Sequence, residues 1–159
     1  MNRQVDVQLA CEDDDTPHPD DIAAWVNRAI DATGRSGNVE VSVRIVASNE
    51  SRGLNRDYRD KDKATNVLSF PAGAMAGLPP GAPEILGDIV VCASVVRDEA
   101  ADQGKALEHH WAHMLVHGTL HLLGFDHETA SQAKEMESLE TRILAEHGFA
   151  DPYGAPNQN

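Results

Sequence analysis

Residues 106–127 read ALEHHWAHMLVHGTLHLLGFDH, and this stretch decides how the chain folds. Apolar side chains recur in it at helical spacing: Leu107, Trp111, Met114, Leu115 and Leu122. Four histidines occupy an arc of about 80° beside this apolar face: His110, His113, His117 and His121. The pattern predicts a buried helix over 106–123 that ends at Gly124 and carries a stripe of imidazoles at the border of the core.

The segments around this helix predict an α+β fold with a small mixed sheet. Alternating apolar residues indicate strands at 5–9, 39–45, 66–70 and 85–93, and helical spacing indicates helices at 22–30, 48–58, 94–103 and 129–147. Asp20 or Asp21 is expected to cap the first helix. Because most strands precede most helices, about five helices packed on a four-stranded mixed sheet are favoured over a doubly wound fold.

Size and charge limit the class of protein. The chain has 159 residues, 41% of them hydrophobic and 25% charged, which fits one globular domain over 1–159 with an ordered core of about 3–153. Its 26 acidic and 13 basic residues give a net charge of -13. A protein that binds polyanions through bulk positive charge is therefore excluded, and any contact with nucleic acid has to be local.

The composition also predicts a cytoplasmic protein. Residues 1–10 lack the apolar run of a secretory signal, and the uncharged stretch 64–83 is interrupted by prolines and glycines, so no membrane span is expected. Cys11 and Cys92 have no paired spacing. The Gly/Pro/Ala-rich connection 72–84 is expected to be a long loop over a site.

The histidine spacing predicts a metal site at the end of the long helix. His117 and His121 are four residues apart, so both rings can bind one ion. Gly124 can take the left-handed conformation that turns the chain back, which brings His127 to the same ion. The pattern HxxxHxxGxxH is the spacing of the metzincin zinc site, and three ligands leave a coordination position open for catalysis. The competing interpretation is a helix face of solvated or core-bound histidines.

Three neighbours of the predicted ligands also bear on the chemistry. His113 is expected to orient a ligand or to pack, and Asp126 to orient a ligand imidazole or to cap the next helix. Gly118 stands where a metalloprotease of this spacing has its glutamate base. Because glycine inside a helix is unfavourable, we expect another backbone or a substrate to pass close to Gly118.

A local basic segment offers a surface for phosphate. Five of the thirteen basic residues fall within 52–63: Arg52, Arg56, Arg59, Lys61 and Lys63. Three aspartates share this segment, which leaves it with a net charge of +2 in an otherwise acidic chain. A solvated helix and loop of mixed charge is the alternative interpretation.

Several blocks of the sequence resemble the bacterial endoribonuclease YbeY family, also called the rRNA maturation factors. These blocks are 55–59 (NRDYR), 61–71 (KDKATNVLSFP), 86–91 (LGDIVV), the histidine run 117–127 and 148–153 (GFADPY). They keep the order and spacing of the family. Ala64 stands where proline is expected, and segments 1–38 and 72–84 carry no diagnostic motif.

The resemblance implies a metal-dependent endoribonuclease that acts on single-stranded RNA, in maturation of the 3′ end of small-subunit ribosomal RNA and in ribosome quality control. It implies His117, His121 and His127 as metal ligands and Arg59 as a catalytic residue. Lys61 and Lys63 are expected to bind the RNA strand beside Arg59. One zinc ion (Zn2+) per chain is the expected cofactor, with other divalent transition metals as alternatives. The expected partners are ribosomal RNA, the ribosome and ribosomal or RNA-processing proteins.

Two other functions fit parts of the pattern. A zinc peptidase on the same scaffold is disfavoured by Gly118, because the usual glutamate base is missing. A metal-stabilised ribosome assembly factor would position RNA without cutting it. Cleavage that elutes with the protein and disappears when His117 is replaced would distinguish the nuclease from both.

Overall fold

The structure is a computed structural model that describes residues 3–13, 15–35, 37–72, 83–126, 128–149 and 152–153. Four strands form its sheet: β1 (Arg3–Ala10), β2 (Val39–Val46), β3 (Val67–Pro71) and β4 (Glu84–Cys92). Five helices lie in the described segments: α1 (Pro19–Ala32), α2 (Ser48–Arg59), α3 (Ala93–Gln103), α4 (Leu107–Leu122) and α5 (Ala130–Ala145). The predicted α+β fold is confirmed.

The sheet is mixed, as predicted, with the strand order β1-β2-β4-β3. β1 and β4 pair with β2 in parallel, and β3 pairs with β4 antiparallel at the edge. In β2 the alternating residues Val39, Val41, Val43 and Ile45 are buried, which is why the sequence pattern identified this strand. The edge position of β3 places it next to the histidine helix.

The two faces of the sheet are covered unequally. The larger core lies between the sheet and the helices α1, α4 and α5, where Trp111, Leu115 and Leu120 are almost fully buried. Burial of each such side chain contributes roughly 1.5–3 kcal/mol to folding. The opposite face carries a small apolar cluster that includes Leu68 and Val90, and α2 covers this cluster only in part, through Leu54. An open surface therefore remains on that face.

The helix ends correct two predictions. The side chain of His18, not Asp20 or Asp21, caps α1, and its Nδ1 accepts from the Asp20 backbone at 3.1 Å. Thr129 caps α5 in a reciprocal pair with Gln132, so Asp126 does not cap that helix. In both cases a residue two or three positions from the expected one has the extended backbone that an N-cap requires.

Two expectations concern residues outside the described part of the chain. The predicted ligand His127 and most of the predicted loop 72–84 lie outside the described residues. Gly124, three residues before His127, has a φ of 99°. Because α4 ends at Leu122, the predicted turn at this glycine is present. Within the described segments, no helix has the length and apolar character needed to cross a bilayer.

Candidate metal centre

An open cleft of about 1160 Å³ brings the end of α4 together with the end of α2. The predicted ligands His117 and His121 lie on its α4 side, and the predicted catalytic residue Arg59 lies on its α2 side. Lys61 and Lys63 are exposed in the segment that follows α2, outside the set of residues that lines the cleft. Three of the residues singled out by sequence therefore share one cleft.

The two described histidines of the predicted triad point their rings at each other. The Nε2 atoms of His117 and His121 are 3.1 Å apart. Two nitrogens bound to one tetrahedral zinc ion at about 2.0–2.1 Å each lie roughly 3.3–3.4 Å apart. The pair therefore fits a shared ion with only a small adjustment of either ring.

Behind His117 lies a carboxylate that is fully buried. Glu140, on α5, accepts hydrogen bonds from His117 Nδ1 at 2.5 Å, from His113 Nε2 at 3.1 Å and from the Tyr153 hydroxyl. Burial raises the pKa of Glu140, but the hydrogen bonds from His113 and His117 outweigh burial and bring this pKa to about 2. Glu140 is therefore a buried anion at neutral pH.

Glu140 also fixes the protonation of both histidines that contact it. Burial lowers the pKa of His113 more than its contact with Glu140 raises it, so this imidazole is neutral and donates through Nε2. In His117 the proton on Nδ1 points to Glu140. The lone pair of His117 is thus left on Nε2, the atom that faces His121, and this is the tautomer that a metal ligand needs.

One ligand atom each from His113, His117 and Glu140 lie within 4.8 Å of one another, so this group could also hold a metal ion. However, the 2.5 Å between His117 Nδ1 and Glu140 Oε1 is a hydrogen-bond distance. It is shorter than the roughly 3.3 Å that separates two ligands of one tetrahedral ion. The geometry therefore favours Glu140 as the hydrogen-bond partner of a ligand and the Nε2 side of His117 as the metal side.

The C-terminal segment closes the site from behind. Lys105 Nζ donates to the Pro152 carbonyl oxygen at 2.6 Å, and the neighbouring Tyr153 donates to Glu140. The Tyr153 oxygen also lies 3.2 Å from His113 Nε2. The segment at 152–153 thus supports the carboxylate that holds His117.

The surroundings of Gly118 correct a prediction. A Cβ atom at this position would lie 3.0 Å from a methyl carbon of Val67 and 3.0 Å from one of Ile89. Ser69 Oγ donates to the Gly118 carbonyl oxygen at 2.8 Å. The close neighbours are therefore side chains of β3 and β4, and not another backbone. Glycine is needed here because α4 packs directly on the sheet.

Buried polar side chains hold the basic segment in place. α2 ends at Arg59, and Asp60 caps it with a φ of 58°. The Asn55 amide donates to the Lys63 carbonyl oxygen at 2.9 Å, and Ser51 exchanges hydrogen bonds with the backbone of Thr65 at 2.9 and 3.0 Å. The course of residues 60–65 is thus fixed, although their side chains are largely exposed.

The cations of this segment fall into two groups. Arg52 forms a paired contact with Asp62 at 2.7 and 3.1 Å, and Arg56 Nε lies 3.3 Å from Asp57. The exposed Arg59, Lys61 and Lys63 form no ion pair with any residue that the structure describes. The three cations that sequence reasoning selected are therefore the ones open to an external anion.

Comparison with known proteins places the chain in a family. Residues 8–148 match the family described as Endoribonuclease YbeY. This chain belongs to the YbeY family. A YbeY endoribonuclease of Halorhodospira halophila is 58% identical over 137 residues, which cover 86% of this chain and 88% of the relative. One of Chromohalobacter salexigens is 51% identical over 153 residues, 96% of either chain.

A solved structure shares the fold of this chain. The solution structure of a protein from Thermotoga maritima matches 95% of this chain and 99% of its own, with a TM-score of 0.55 and 22% sequence identity. At this identity the likeness concerns the fold alone.

Sequence reasoning missed several residues that build this YbeY site. Glu140 left a signal, because it occupies an apolar position of α5, on the face that also buries Met136, Ile143 and Leu144. Tyr153 stood in a block that resembled the family, but nothing local indicated its contact. Ser51 and Asn55 gave no local signal of burial, since both residue types are mostly exposed.

Proposed function

We propose that this YbeY-family chain is a metal-dependent endoribonuclease that cuts single-stranded RNA. The observation that carries the proposal is the His117–His121 pair, with Nε2 atoms 3.1 Å apart, in the cleft that also contains Arg59. A metal site beside an exposed guanidinium suits the cleavage of a phosphodiester. The relatives named endoribonuclease support the same activity.

The proposed cofactor is one zinc ion held by His117, His121 and His127. The orientation of the His117 lone pair and the separation of the two described rings fit such an ion. Zinc, when bound, supplies Lewis-acid chemistry toward a phosphoryl oxygen. The buried, negatively charged carboxylate of Glu140 contacts the Nδ1 side of the His117 ring. It would compensate part of the positive charge of a zinc ion held on the Nε2 side.

Residues of the chain do the remaining work. Arg59 binds non-bridging oxygens of the scissile phosphate and stabilises the charge that develops there, because a planar guanidinium can donate two parallel hydrogen bonds. Lys61 and Lys63 bind neighbouring phosphates and hold the strand across the cleft. His113 and Tyr153 keep Glu140 in position, so that the His117 ring does not rotate.

We further propose that the substrate is ribosomal RNA in the cytoplasm, with roles in maturation of the 3′ end of small-subunit RNA and in ribosome quality control. The net charge of -13 opposes unaided encounter with RNA, so the ribosome, or a ribosomal or RNA-processing protein, is proposed to deliver the enzyme. Cleavage is expected to be faster on assembled particles than on naked RNA. Equal rates would argue against delivery.

The competing functions make different predictions. A peptidase needs a carboxylate base beside the first ligand, and Gly118 stands at that position, packed closely against Val67 and Ile89. An assembly factor would bind the same RNA and leave it intact. A casein digest and an RNA digest on one preparation separate the three cases.

The decisive experiment compares zinc-loaded wild-type protein with His117→Ala and Arg59→Ala on a fluorescent single-stranded RNA. Both variants are expected to lose cleavage, and wild-type activity should elute with the protein peak. His147→Ala and Arg28→Ala are matched controls, because both residues line a second pocket apart from this cleft. A folded His117→Ala protein that cuts at the wild-type rate would refute the proposed function.

A further inference from the structure

Tyr58 is an aromatic side chain with an unusual degree of exposure. It is 69% exposed, more than the other large hydrophobic side chains that stand out at the described surface, which are Leu9 at 50%, Tyr153 at 47% and Ile85 at 41%. A tyrosine ring is usually at least half-buried, because it carries a large apolar surface. Exposure alone would not indicate a role, but this ring also lines the cleft that contains His117 and His121.

The exposed ring is supported from one side. The Phe70 ring of β3 contacts Tyr58 edge-on, with centroids 5.0 Å apart and planes at 66°. Phe70 itself packs against the small apolar cluster on the open face of the sheet. Tyr58 therefore has a fixed neighbour beneath it, while most of its ring surface remains in solvent.

The surroundings of this ring match the chemistry of single-stranded nucleic acid. Tyr58 lines the same cleft as His117 and His121, and the next residue along the chain is Arg59. Proteins that bind single strands combine cations for the backbone with aromatic rings on which bases stack. The unpaired cations after Tyr58 supply the first of these components, and Tyr58 supplies the second.

We propose that Tyr58, supported by Phe70, is a stacking platform for one unpaired base of the RNA strand whose phosphate lies at Arg59. This inference rests on the proposed nuclease function and adds the means by which single strands are selected. A base inside a duplex has both faces covered by its neighbours, so only an unpaired base can offer a face to the tyrosine. Helical RNA would lose this contact.

Stacking on Tyr58 does not by itself distinguish one base from another. Two polar side chains that line the cleft use their hydrogen-bonding groups within the protein. The Asn66 amide donates to Glu99 at 3.1 and 3.2 Å and its oxygen accepts from the Val67 backbone at 2.6 Å, while Ser69 donates to Gly118. Stacking needs only the face of a base, which every base offers.

The test measures binding of two probes to the zinc-loaded protein. One is a single-stranded 2′-O-methyl RNA with 2-aminopurine, checked on a gel for integrity, and the other is a strand of equal length and charge without bases. Tyr58→Ala is expected to weaken binding of the first probe by roughly 5- to 100-fold and to leave binding of the second unchanged. Tyr58→Phe should bind both probes as the wild type does and quench 2-aminopurine equally.

The controls separate this inference from the function on which it rests. Arg59→Ala should weaken both probes, and Leu9→Ala, which removes an exposed apolar side chain outside the cleft, should weaken neither. Equal affinity of wild type and Tyr58→Ala for the base-bearing probe would overturn the platform, as would an equal loss on both probes. A wild-type protein that binds neither probe would overturn the proposed function itself.

Discussion

Two groups of residues at this site, the histidine wall and the basic wall, differ in where their charged side chains lie. The histidine wall consists of His113, His117 and His121 on α4 together with Glu140 on α5. Its carboxylate is fully buried and accepts three hydrogen bonds. The basic wall consists of Arg59, which lines the cleft, together with Lys61 and Lys63, which follow it in the chain outside the cleft lining. The side chains of all three are exposed, and their charges are unpaired among the described residues.

This difference follows from what each wall has to bind. A metal ligand must present one particular nitrogen in one tautomer, which requires a partner on its other nitrogen that is itself held in place. A cation that binds phosphate must remain hydrated until RNA arrives, because an internal partner would compete with the substrate. The first wall is therefore organised through its side chains and the second through its backbone.

The largest effect should come from removing a ligand of the histidine wall. His121→Ala is expected to weaken zinc binding by more than about 100-fold, since loss of a ligand should exceed the 10- to 100-fold cost of losing an outer partner. Competition with a chromophoric chelator measures this affinity. RNA binding by the basic wall should persist in the variant. Zinc affinity equal to that of the wild type would place the metal elsewhere.

Removing the charge of Glu140 tests whether the histidine wall depends on its buried anion. Glu140→Gln retains the side-chain volume but replaces one acceptor oxygen by a donor that faces an imidazole N–H or the Tyr153 hydroxyl. Zinc affinity should fall by roughly 10- to 100-fold. Glu135→Gln, an exposed position on the same helix, makes the same change of charge and should have no effect. Unchanged affinity in Glu140→Gln would show that the carboxylate does not orient His117.

The basic wall should depend on its backbone anchors. Asn55→Ala removes the amide that holds the Lys63 carbonyl group, and should lower the free energy of unfolding by about 1–2 kcal/mol. It should also weaken RNA binding, because Lys61 and Lys63 lose their fixed positions. Chemical denaturation and RNA titration measure the two effects. Zinc affinity should stay unchanged, and a parallel loss of zinc binding would mean that the two walls are coupled.

A smaller effect is expected at Glu99 of α3, a carboxylate that contacts α4 outside the histidine wall and the basic wall. Glu99 accepts from His110 at 2.9 Å and from Asn66. The His110 contact, supported by Asn66, lowers the pKa of Glu99 against the opposing effect of burial. This pair therefore stabilises the fold above the ordinary glutamate pKa of about 4.3, and the contribution is lost as pH falls through the lowered value.

Glu99→Gln should measure that contribution. The variant is expected to unfold more easily than the wild type at pH 5 by roughly 0.5–1.5 kcal/mol, and the difference should shrink as the solution is acidified below the ordinary glutamate pKa. Denaturation at several pH values follows it. A difference that grows as the solution is acidified would contradict the assigned direction of the pKa shift.

The fold was predictable because its signals are local. Alternation in β2 and helical spacing in α4 identify their elements within one segment, and the glycines mark where helices stop. The strand order β1-β2-β4-β3 involves residues far apart in sequence. The neighbours of Gly118 follow from that order, because β3 lies at the edge beside α4, and this is why the expected close contact was misidentified.

The candidate site was predictable only in part, for the same reason. The spacing of His117 and His121 shows that their rings lie on the same face of one helix. Glu140 lies 23 positions after His117 and reaches it only because α5 packs on α4. Asn55 likewise acts through a turn that returns residues 60–65 to α2. Contacts within a helix can be deduced from spacing, whereas contacts between elements require the packing.

The close packing around Gly118 limits which residues can replace it. A glutamate at position 118 would place its Cβ atom 3.0 Å from methyl carbons of Val67 and Ile89, so these side chains would have to shift to admit it. The packing of the helix on the sheet thus opposes a glutamate at this position through methyl groups, independently of catalytic chemistry.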